Sequence, residues 1–175
     1  MRLRSIVVIL LVLLAGCTAP QADEPPAPAG TDVSVTLSNE HTATYTVTVH
    51  AIPPDAEGIE LTYENGSTRT FDGPIEDLPS DWPRNVTALS VDGNDRYAET
   101  VRLAPNRGVG LTLEAVPPGS AVVYIVHSEA GPRATHGPGI VQCGPNNGSA
   151  DLTVRILADG SLDSRLSCAG DMAVS

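Results

Sequence analysis

Lysine is absent from this chain of 175 residues, and aromatic side chains are scarce, with one Trp, one Phe and four Tyr. A hydrophobic core must therefore be built from Val, Leu, Ile and Ala. Long apolar runs are also missing. The longest, residues 6–14, has nine residues, whereas a membrane-spanning helix needs about 20. The chain has room for one domain with appendages, and no membrane-spanning segment is predicted.

Negative charge dominates the composition. The ten basic residues are all Arg and stand against 21 Asp and Glu, for a net charge of −11. Such a surface repels nucleic acid and anionic lipid headgroups, so neither is expected to bind the folded part. In molar salt, where the Debye length is about 3 Å, dense carboxylates repel one another little. The excess of acids without Lys resembles the composition of haloarchaeal proteins. A GC-rich genome would explain the missing Lys but not the acids.

The N-terminus has the parts of an export signal. A short basic segment, residues 1–5, precedes the apolar run IVVILLVLL, and Ala15-Gly16-Cys17 follows. Leu, a small residue, Gly and Cys in this order resemble the lipobox of lipoproteins. The resemblance implies a signal peptide over 1–16 and a lipidated Cys17 as the first mature residue. An ordinary signal peptide that happens to contain Cys17 is the alternative. The two N-terminal arginines are not adjacent, which favours the general secretory route over the twin-arginine route.

A proline-rich segment follows the cysteine. Residues 18–31, TAPQADEPPAPAGT, have no apolar period, and a linker is predicted over 17–31. Its prolines favour polyproline II at about 3.1 Å per residue, which would hold a domain up to roughly 40 Å from the membrane. The predicted location is the cell membrane, with the protein attached through lipid at Cys17 and facing the exterior.

Alternation with period two governs the rest of the chain. Val33, Val35 and Leu37 alternate with polar residues, and residues 43–51 alternate in the same way. This pattern predicts half-buried strands. Further strands are predicted near 59–63, 68–71, 85–91, 97–103, 109–116, 121–127, 139–143, 150–157 and 161–168. The segment 121–127, AVVYIVH, is apolar on both faces, which predicts a central strand.

Turn signals separate these strands. Asn65-Gly66 is typical of a type I′ hairpin turn, in which both residues take positive φ, and Asp159-Gly160 predicts the turn between the last two strands. About nine to eleven short strands without a helical stripe predict an all-β, antiparallel β-sandwich over 32–171, with a tail at 172–175. With the signal and the linker, this strand rhythm resembles the immunoglobulin-like domains of archaeal surface lipoproteins. The Cys–Trp–Cys spacing of antibody domains is absent.

Two cysteines remain in the predicted domain. Export would place Cys143 and Cys168 in an oxidising compartment, and Cys168 has the same strand parity as Leu162 and Leu166. A disulfide between them is predicted to attach the last hairpin to the body of the domain. A metal-binding or redox-active thiol is the alternative.

A copper site has to be weighed, because small exported β-sandwiches include cupredoxins. Their copper needs two His, one Cys and a weak axial Met. Cys168 and Met172 could supply two ligands, together with His127 or His136. However, no His lies between the Cys and the Met, where cupredoxins place one, and the four histidines (the others are His41 and His50) have no ligand-like spacing. We therefore expect no metal and no cofactor, with a cupredoxin-like copper protein as one alternative.

Motifs of catalysis are missing as well. The sequence has no G-x-S-x-G elbow, H-E-x-x-H, P-loop or G-x-G-x-x-G. The segment DGND at 92–95 could hold Ca²⁺ through oxygen ligands but is typical of a hairpin turn. An enzyme whose site is assembled from dispersed residues is the second alternative.

Three N-x-S/T sequons begin at Asn65, Asn85 and Asn147. All fall at predicted turns or strand starts, so they are candidate glycan acceptors in an exported protein. The function predicted from the sequence is that of a lipid-anchored, non-enzymatic surface protein. Its expected partner is a protein, a glycan or another envelope component.

Overall fold

The computed structural model describes residues 30–72, 86–91, 97–129, 135–143 and 149–169. These residues form eleven β-strands: β1 (Thr31–Asn39), β2 (Tyr45–Ile52), β3 (Ile59–Tyr63), β4 (Thr68–Phe71), β5 (Val86–Val91), β6 (Ala98–Leu103), β7 (Arg107–Val116), β8 (Ala121–Ser128), β9 (Thr135–Gln142), β10 (Ser149–Ile156) and β11 (Leu162–Ala169). Over the same residues, no helix has the length and apolar character needed to cross a membrane. The predicted signal peptide, Cys17, most of the predicted linker and the tail at 172–175 lie outside this part of the chain.

Each predicted strand corresponds to one strand of the structure. Most boundaries differ by one or two residues. The exception is β9, which begins at Thr135 rather than near 139. Its first residues, THGP, carry no apolar alternation, so their pairing with β8 cannot be read from the sequence. These residues are in a strand because they pair with β8, although their local sequence does not have a strand pattern.

The strands form three sheets. Sheet A has the order β11-β10-β1-β7, sheet B has the order β6-β2-β8-β9, and sheet C has the order β4-β3-β5. Neighbouring strands are antiparallel with one exception among the described pairs. Strand β1 runs parallel to β10, from Val33↔Ala150 to Asn39↔Ile156. The prediction of a purely antiparallel sandwich is wrong at this pair, because alternation reports which face is buried and not the direction of the neighbour.

Sheets A and B pack face to face around the larger hydrophobic core. Strand β1 contributes Val33, Val35 and Leu37, which are at most 4% exposed, as their alternation predicts. Facing or neighbouring strands supply further members of this core, among them Val47, Val49, Val126, Leu152, Val154 and Ile156. This is the predicted β-sandwich, built mainly from aliphatic side chains. Three of the four tyrosines, Tyr45, Tyr97 and Tyr124, are also buried in this core, which the scarcity of aromatic residues did not predict.

Sheet C adds a third layer that the sequence does not predict. A second core joins it to the opposite face of sheet B. Strand β8 explains the arrangement: Val122, Tyr124 and Val126 face sheet A, while Val123 and Ile125 face sheet C. The prediction of a central strand at 121–127 is thus confirmed, and burial on both faces accounts for its continuous apolar sequence.

A buried asparagine ties the end of β1 to two turns. Asn39 is 1% exposed. Its Nδ2 lies 2.8 Å from the carbonyl oxygen of Ala43, 3.2 Å from that of Leu103 and 3.1 Å from that of Ala104. Its Oδ1 accepts from the backbone N–H of His41 at 3.0 Å. A buried amide is stable only when its donors and acceptor are paired, and here they are.

Candidate functional site

Strand β7 forms one edge of sheet A. It pairs antiparallel with β1, from Asn39↔Arg107 to Thr31↔Val116. On its other side, no strand of the described residues pairs with it. An edge strand presents unpaired N–H and C=O groups, and these can pair with the backbone of another chain.

The middle of this strand carries no charge. Between Arg107 and Glu114 the sequence is GVGLTL, and Gly108, Gly110 and Thr112 are exposed. A Cβ added at Gly110 would meet no atom within 4 Å, so the surface is open there. Residues 108–113 are referred to below as the β7 edge. Their length and lack of charge are the features that favour pairing with a further strand.

The other edge strands are less suited to pairing. Charged residues or proline occupy three of them: Asp163 and Arg165 in β11, Glu99 and Arg102 in β6, and Pro138 in β9. Strand β4 has only four residues. Strand β5 is uncharged and as long as the β7 edge, but half of its residues are buried, and the carbonyl oxygen of Thr87 already accepts from His127 Nε2 at 2.7 Å. The β7 edge is therefore the most open edge among the described strands.

A bulge ends the β7 edge. The register of β7 against β1 shifts between Thr31 and Val33, and Ala115 takes a positive φ of 51°. The backbone N–H of Ala115 donates to Asp32 Oδ1 at 3.1 Å, which holds the bulge. A Cβ at Gly30 would lie 2.2 Å from the carbonyl oxygen of Ala115, so only glycine fits beside it. Regular pairing geometry is thus confined to the strand before the bulge.

Sheet A presents a face of small polar side chains next to this edge. Ser34 lies opposite Thr112, and Thr36 lies opposite Gly110 on one side and Thr153 on the other. Ser34, Thr36 and Thr112 are exposed. A strand added to β7 would extend this face, and small side chains would allow close approach of its neighbours.

A second polar surface lies on the part of sheet B near the end of β8. Arg102 donates to Glu129 through Nε at 2.8 Å and Nη2 at 2.7 Å. These hydrogen bonds hold the pKa of the Glu129 carboxyl below its usual value. Thr48 and Thr100 hydrogen bond across the neighbouring strands at 3.2 Å. Because the Arg102 side chain is 72% exposed, this ion pair contributes little to stability.

The predicted disulfide is present in the structure. Cys143 and Cys168 are bonded, with 5.7 Å between their Cα atoms. Cys143 directly follows β9 at the edge of sheet B, and Cys168 lies in β11 at the edge of sheet A. The bond therefore joins the two layers of the sandwich as well as securing the last hairpin.

A shallow crevice opens between sheets A and B beside this disulfide. Its walls are mostly aliphatic and include Val33, Val122, Val141 and Leu166. The interior has room for about one water molecule, so it does not form a pocket for a larger ligand.

The residues considered for copper do not come together. The sulfur of Cys168 is bonded to Cys143 and cannot act as a thiolate ligand. His127 Nε2 donates to the Thr87 carbonyl, His136 is placed in β9, and Met172 lies outside the described residues. His41 contacts Tyr45, with 3.2 Å between Nδ1 and the hydroxyl, and His50 is buried in β2. Across the described residues, no three His, Cys, Asp or Glu side chains are grouped to hold a metal ion.

Asn65 is the one predicted glycan acceptor within the described residues. It lies in the exposed turn between β3 and β4. Only Gly66 of this turn has positive φ, at 77°, so the predicted type I′ turn is wrong. The loop has three residues closed by Tyr63 and Ser67, for which a type I turn followed by a left-handed glycine is the usual geometry. Asn85, Asn147, Cys17 and the DGND segment at 92–95 lie outside the described residues.

The model of the family described as halobacterial Ig domain protein matches residues 1–174. The chain belongs to this family. Membership agrees with the β-sandwich and with the acidic composition, and it confirms the expectation of a haloarchaeal immunoglobulin-like domain. It also supports the coarse functional expectation of an Ig-type surface or interaction module.

Other comparisons add little to the Ig assignment. No curated protein matches the chain. Among solved structures, an NMR structure of a protein from Eubacterium rectale is similar over 81% of this chain and 93% of its own, with 6% identity and a TM-score of 0.29. That similarity is too low to support any inference about this Ig domain.

Sequence patterns did not identify the β7 edge. Alternation in Val109, Leu111 and Leu113 indicates a strand but not its place in a sheet. One signal was available: the alternate positions hold Gly108, Gly110 and Thr112, a run without the charges that protect most edges. Only the strand order shows that this uncharged run lies at the edge of a sheet.

Proposed function

We propose that the protein is a lipid-anchored, non-enzymatic module outside the cytoplasm that binds an extended segment of another protein along the β7 edge. The observation that carries the proposal is the open, uncharged length of residues 108–113 at the edge of sheet A. The Ig-type fold supports it, since such sandwiches present edges and loops rather than a deep pocket.

Binding at this edge would use strand addition. The partner backbone would pair with the outward N–H and C=O groups of β7, which supply affinity without requiring particular side chains. Specificity would come from side chains on the two faces of the added strand. One would contact the small polar face at Thr36 and Thr112, and the other would contact the apolar rim at Val109 and Leu111.

Charge supports this location of the binding surface. The chain carries a net charge of −11, so most of its surface repels an acidic partner. The β7 edge is free of acids between Arg107 and Glu114. In an envelope of acidic proteins, an uncharged edge allows approach with the least repulsion.

The anchoring part of the proposal rests on the N-terminal sequence. Residues 6–14 are too short to span a bilayer, and Leu14-Ala15-Gly16-Cys17 follows the pattern of a lipobox. A lipid at Cys17 with the proline-rich segment after it would tether the Ig domain at a distance from the membrane. The β7 edge would then be accessible to neighbouring surface proteins.

The non-enzymatic part is supported by the chemistry of the described side chains. His41 contacts the Tyr45 hydroxyl, and His127 hydrogen bonds to a backbone carbonyl. The sulfurs of Cys143 and Cys168 are bonded to each other in a disulfide. Pairs such as Arg102 with Glu129 are exposed surface ion pairs. A binding role needs none of these groups to react.

Variants at position 110 test the proposal. The full-length protein, solubilised from membranes, serves as bait for envelope proteins. Gly110→Glu fits the open space and places a charge on the edge, so at least a tenfold loss of the captured partner is expected. Gly110→Ala controls for loss of glycine, and Ser90→Glu adds the same charge at an exposed position of β5. Equal capture by Gly110→Glu and Gly110→Ala would contradict binding at the β7 edge.

A further inference from the structure

Two turns in this protein have the same geometry. Asn65-Gly66-Ser67 joins β3 to β4, and Asp159-Gly160-Ser161 joins β10 to β11. In the first, Asn65 Oδ1 accepts from Ser67 N at 2.9 Å and from Ser67 Oγ at 2.6 Å. In the second, Asp159 Oδ1 accepts from Ser161 N at 2.9 Å and from Ser161 Oγ at 2.6 Å.

The backbones of the two turns agree as well. Gly66 and Gly160 have φ of 77° and 82°. Tyr63 N donates to Ser67 O at 2.9 Å, and Leu157 N donates to Ser161 O at 2.8 Å. The same loop is therefore built twice, once around a carboxylate and once around a carboxamide.

The surroundings of the two turns differ. A Cβ at Gly66 would meet nothing within 4 Å, and Asn65 and Ser67 are exposed. A Cβ at Gly160 would lie 3.6 Å from the Tyr45 hydroxyl and 3.8 Å from His41 Nε2. The Asn65 turn stands clear of the sandwich, whereas the Asp159 turn lies against it.

Only the clear turn carries a sequon. Ser67 supplies both donors to Asn65 Oδ1, so neither of these contacts occupies the amide nitrogen. An acceptor in a protruding turn can enter the active site of a transferase without unfolding of the sheet. The hydroxyl of the sequon is already bonded to the acceptor amide.

We propose that Asn65 Nδ2 is N-glycosylated from a polyprenyl-phosphate-linked sugar. The nitrogen attacks the anomeric carbon, a C–N bond forms and the C–O bond to phosphate breaks. The lipid phosphate leaves with the electron pair, and the amide gives up one proton. The inference rests on the export proposed above, because the acceptor must meet the transferase and its lipid-linked donor.

The test is mass spectrometry of the full-length protein purified from membranes of a halobacterial host. Peptides containing Asn65 are expected to carry a glycan. Asn65→Gln and Ser67→Ala should abolish it, while Ser67→Thr should retain it. A mass gain of about one dalton would be deamidation and would count against the proposal.

Asp159→Asn provides a matched test of the turn geometry. It creates a sequon in the twin turn and should acquire a glycan, at lower occupancy because Tyr45 and His41 lie behind it. Absence of a glycan there, alongside a modified Asn65, would show that this turn geometry is not sufficient for glycosylation.

Surface accessibility, measured by protease treatment of intact cells, separates the two proposals. An accessible chain with unmodified Asn65 would overturn glycosylation and leave export standing. An inaccessible, unmodified chain would overturn both.

Discussion

Cys143 and Cys168 are bonded across the two layers of the sandwich, with their Cα atoms 5.7 Å apart. One follows the edge strand of sheet B and the other lies in the edge strand of sheet A. The bond thus holds together the sheets whose facing side chains form the larger core. It also fixes β11, the last strand that the structure describes.

Removal of this disulfide should destabilise the domain. The bond closes a loop with a sequence separation of 25, which is worth roughly 3–4 kcal/mol on the chain-entropy model. The double variant Cys143→Ser with Cys168→Ser should therefore melt roughly 10 °C lower, as measured by circular dichroism. Thiol labelling of the denatured, unreduced wild-type domain should find no free thiol. Two labelled thiols would show that the bond does not form in the cell.

Asn39 should be among the most sensitive polar positions. Alanine there would leave the buried carbonyl of Leu103 without its side-chain donor, together with the part-buried contacts to the carbonyls of Ala43 and Ala104. The expected loss is about 2–4 kcal/mol of unfolding free energy, measured by denaturant titration. The neighbouring Ser38→Ala should change it by about 0.5 kcal/mol or less. Similar small losses in both variants would show that the Asn39 hydrogen bonds are not important to the fold.

Asp159 should add to the acid sensitivity of the domain. Hydrogen bonds from the Ser161 side chain and backbone hold the pKa of Asp159 below its usual value. The stability that the ionised Asp159 carboxylate adds to the fold is therefore present above the ordinary carboxyl pKa of about 4. It is lost as the pH falls through the lower pKa of the folded state. Asp159→Asn keeps an oxygen acceptor but does not titrate. Its denaturation midpoint should fall less between pH 5 and pH 3 than that of the wild type, and equal falls would refute this.

Salt should stabilise the domain. The chain has 21 acidic residues against ten Arg, so repulsion is strongest in dilute buffer. Raising KCl from about 0.1 M to 2 M shortens the Debye length well below 10 Å. The melting temperature is expected to rise over this range. A flat or falling curve would contradict adaptation to high salt.

Many of the strands and their buried faces could be predicted from the sequence, because the apolar residues that alternate along a strand are also the residues that are buried. Val33, Val35 and Leu37 reveal both a strand and its buried face, and β8 shows its central place through apolar residues on both faces. Alternation does not reveal neighbours, so neither the parallel pairing of β1 with β10 nor the third sheet was predicted.

The candidate sites were also predictable only where they did not depend on which strands are neighbours. Cys143 and Cys168 were paired correctly because few cysteines were available. The role of Asn39 was missed because its partners are backbone carbonyls far along the chain. The β7 edge depends on strand order, which Gly108 and Gly110 alone do not convey.

The central claim is that this Ig domain is displayed on the cell surface by a lipid at Cys17. Mass spectrometry of the N-terminal peptide from the membrane fraction tests it most directly, with Cys17→Ser fractionated in parallel. We predict a chain that begins at a lipid-modified Cys17, and a Cys17→Ser chain that leaves the membrane fraction. An unmodified Cys17, or a Cys17→Ser chain that stays with the membrane, would contradict the account.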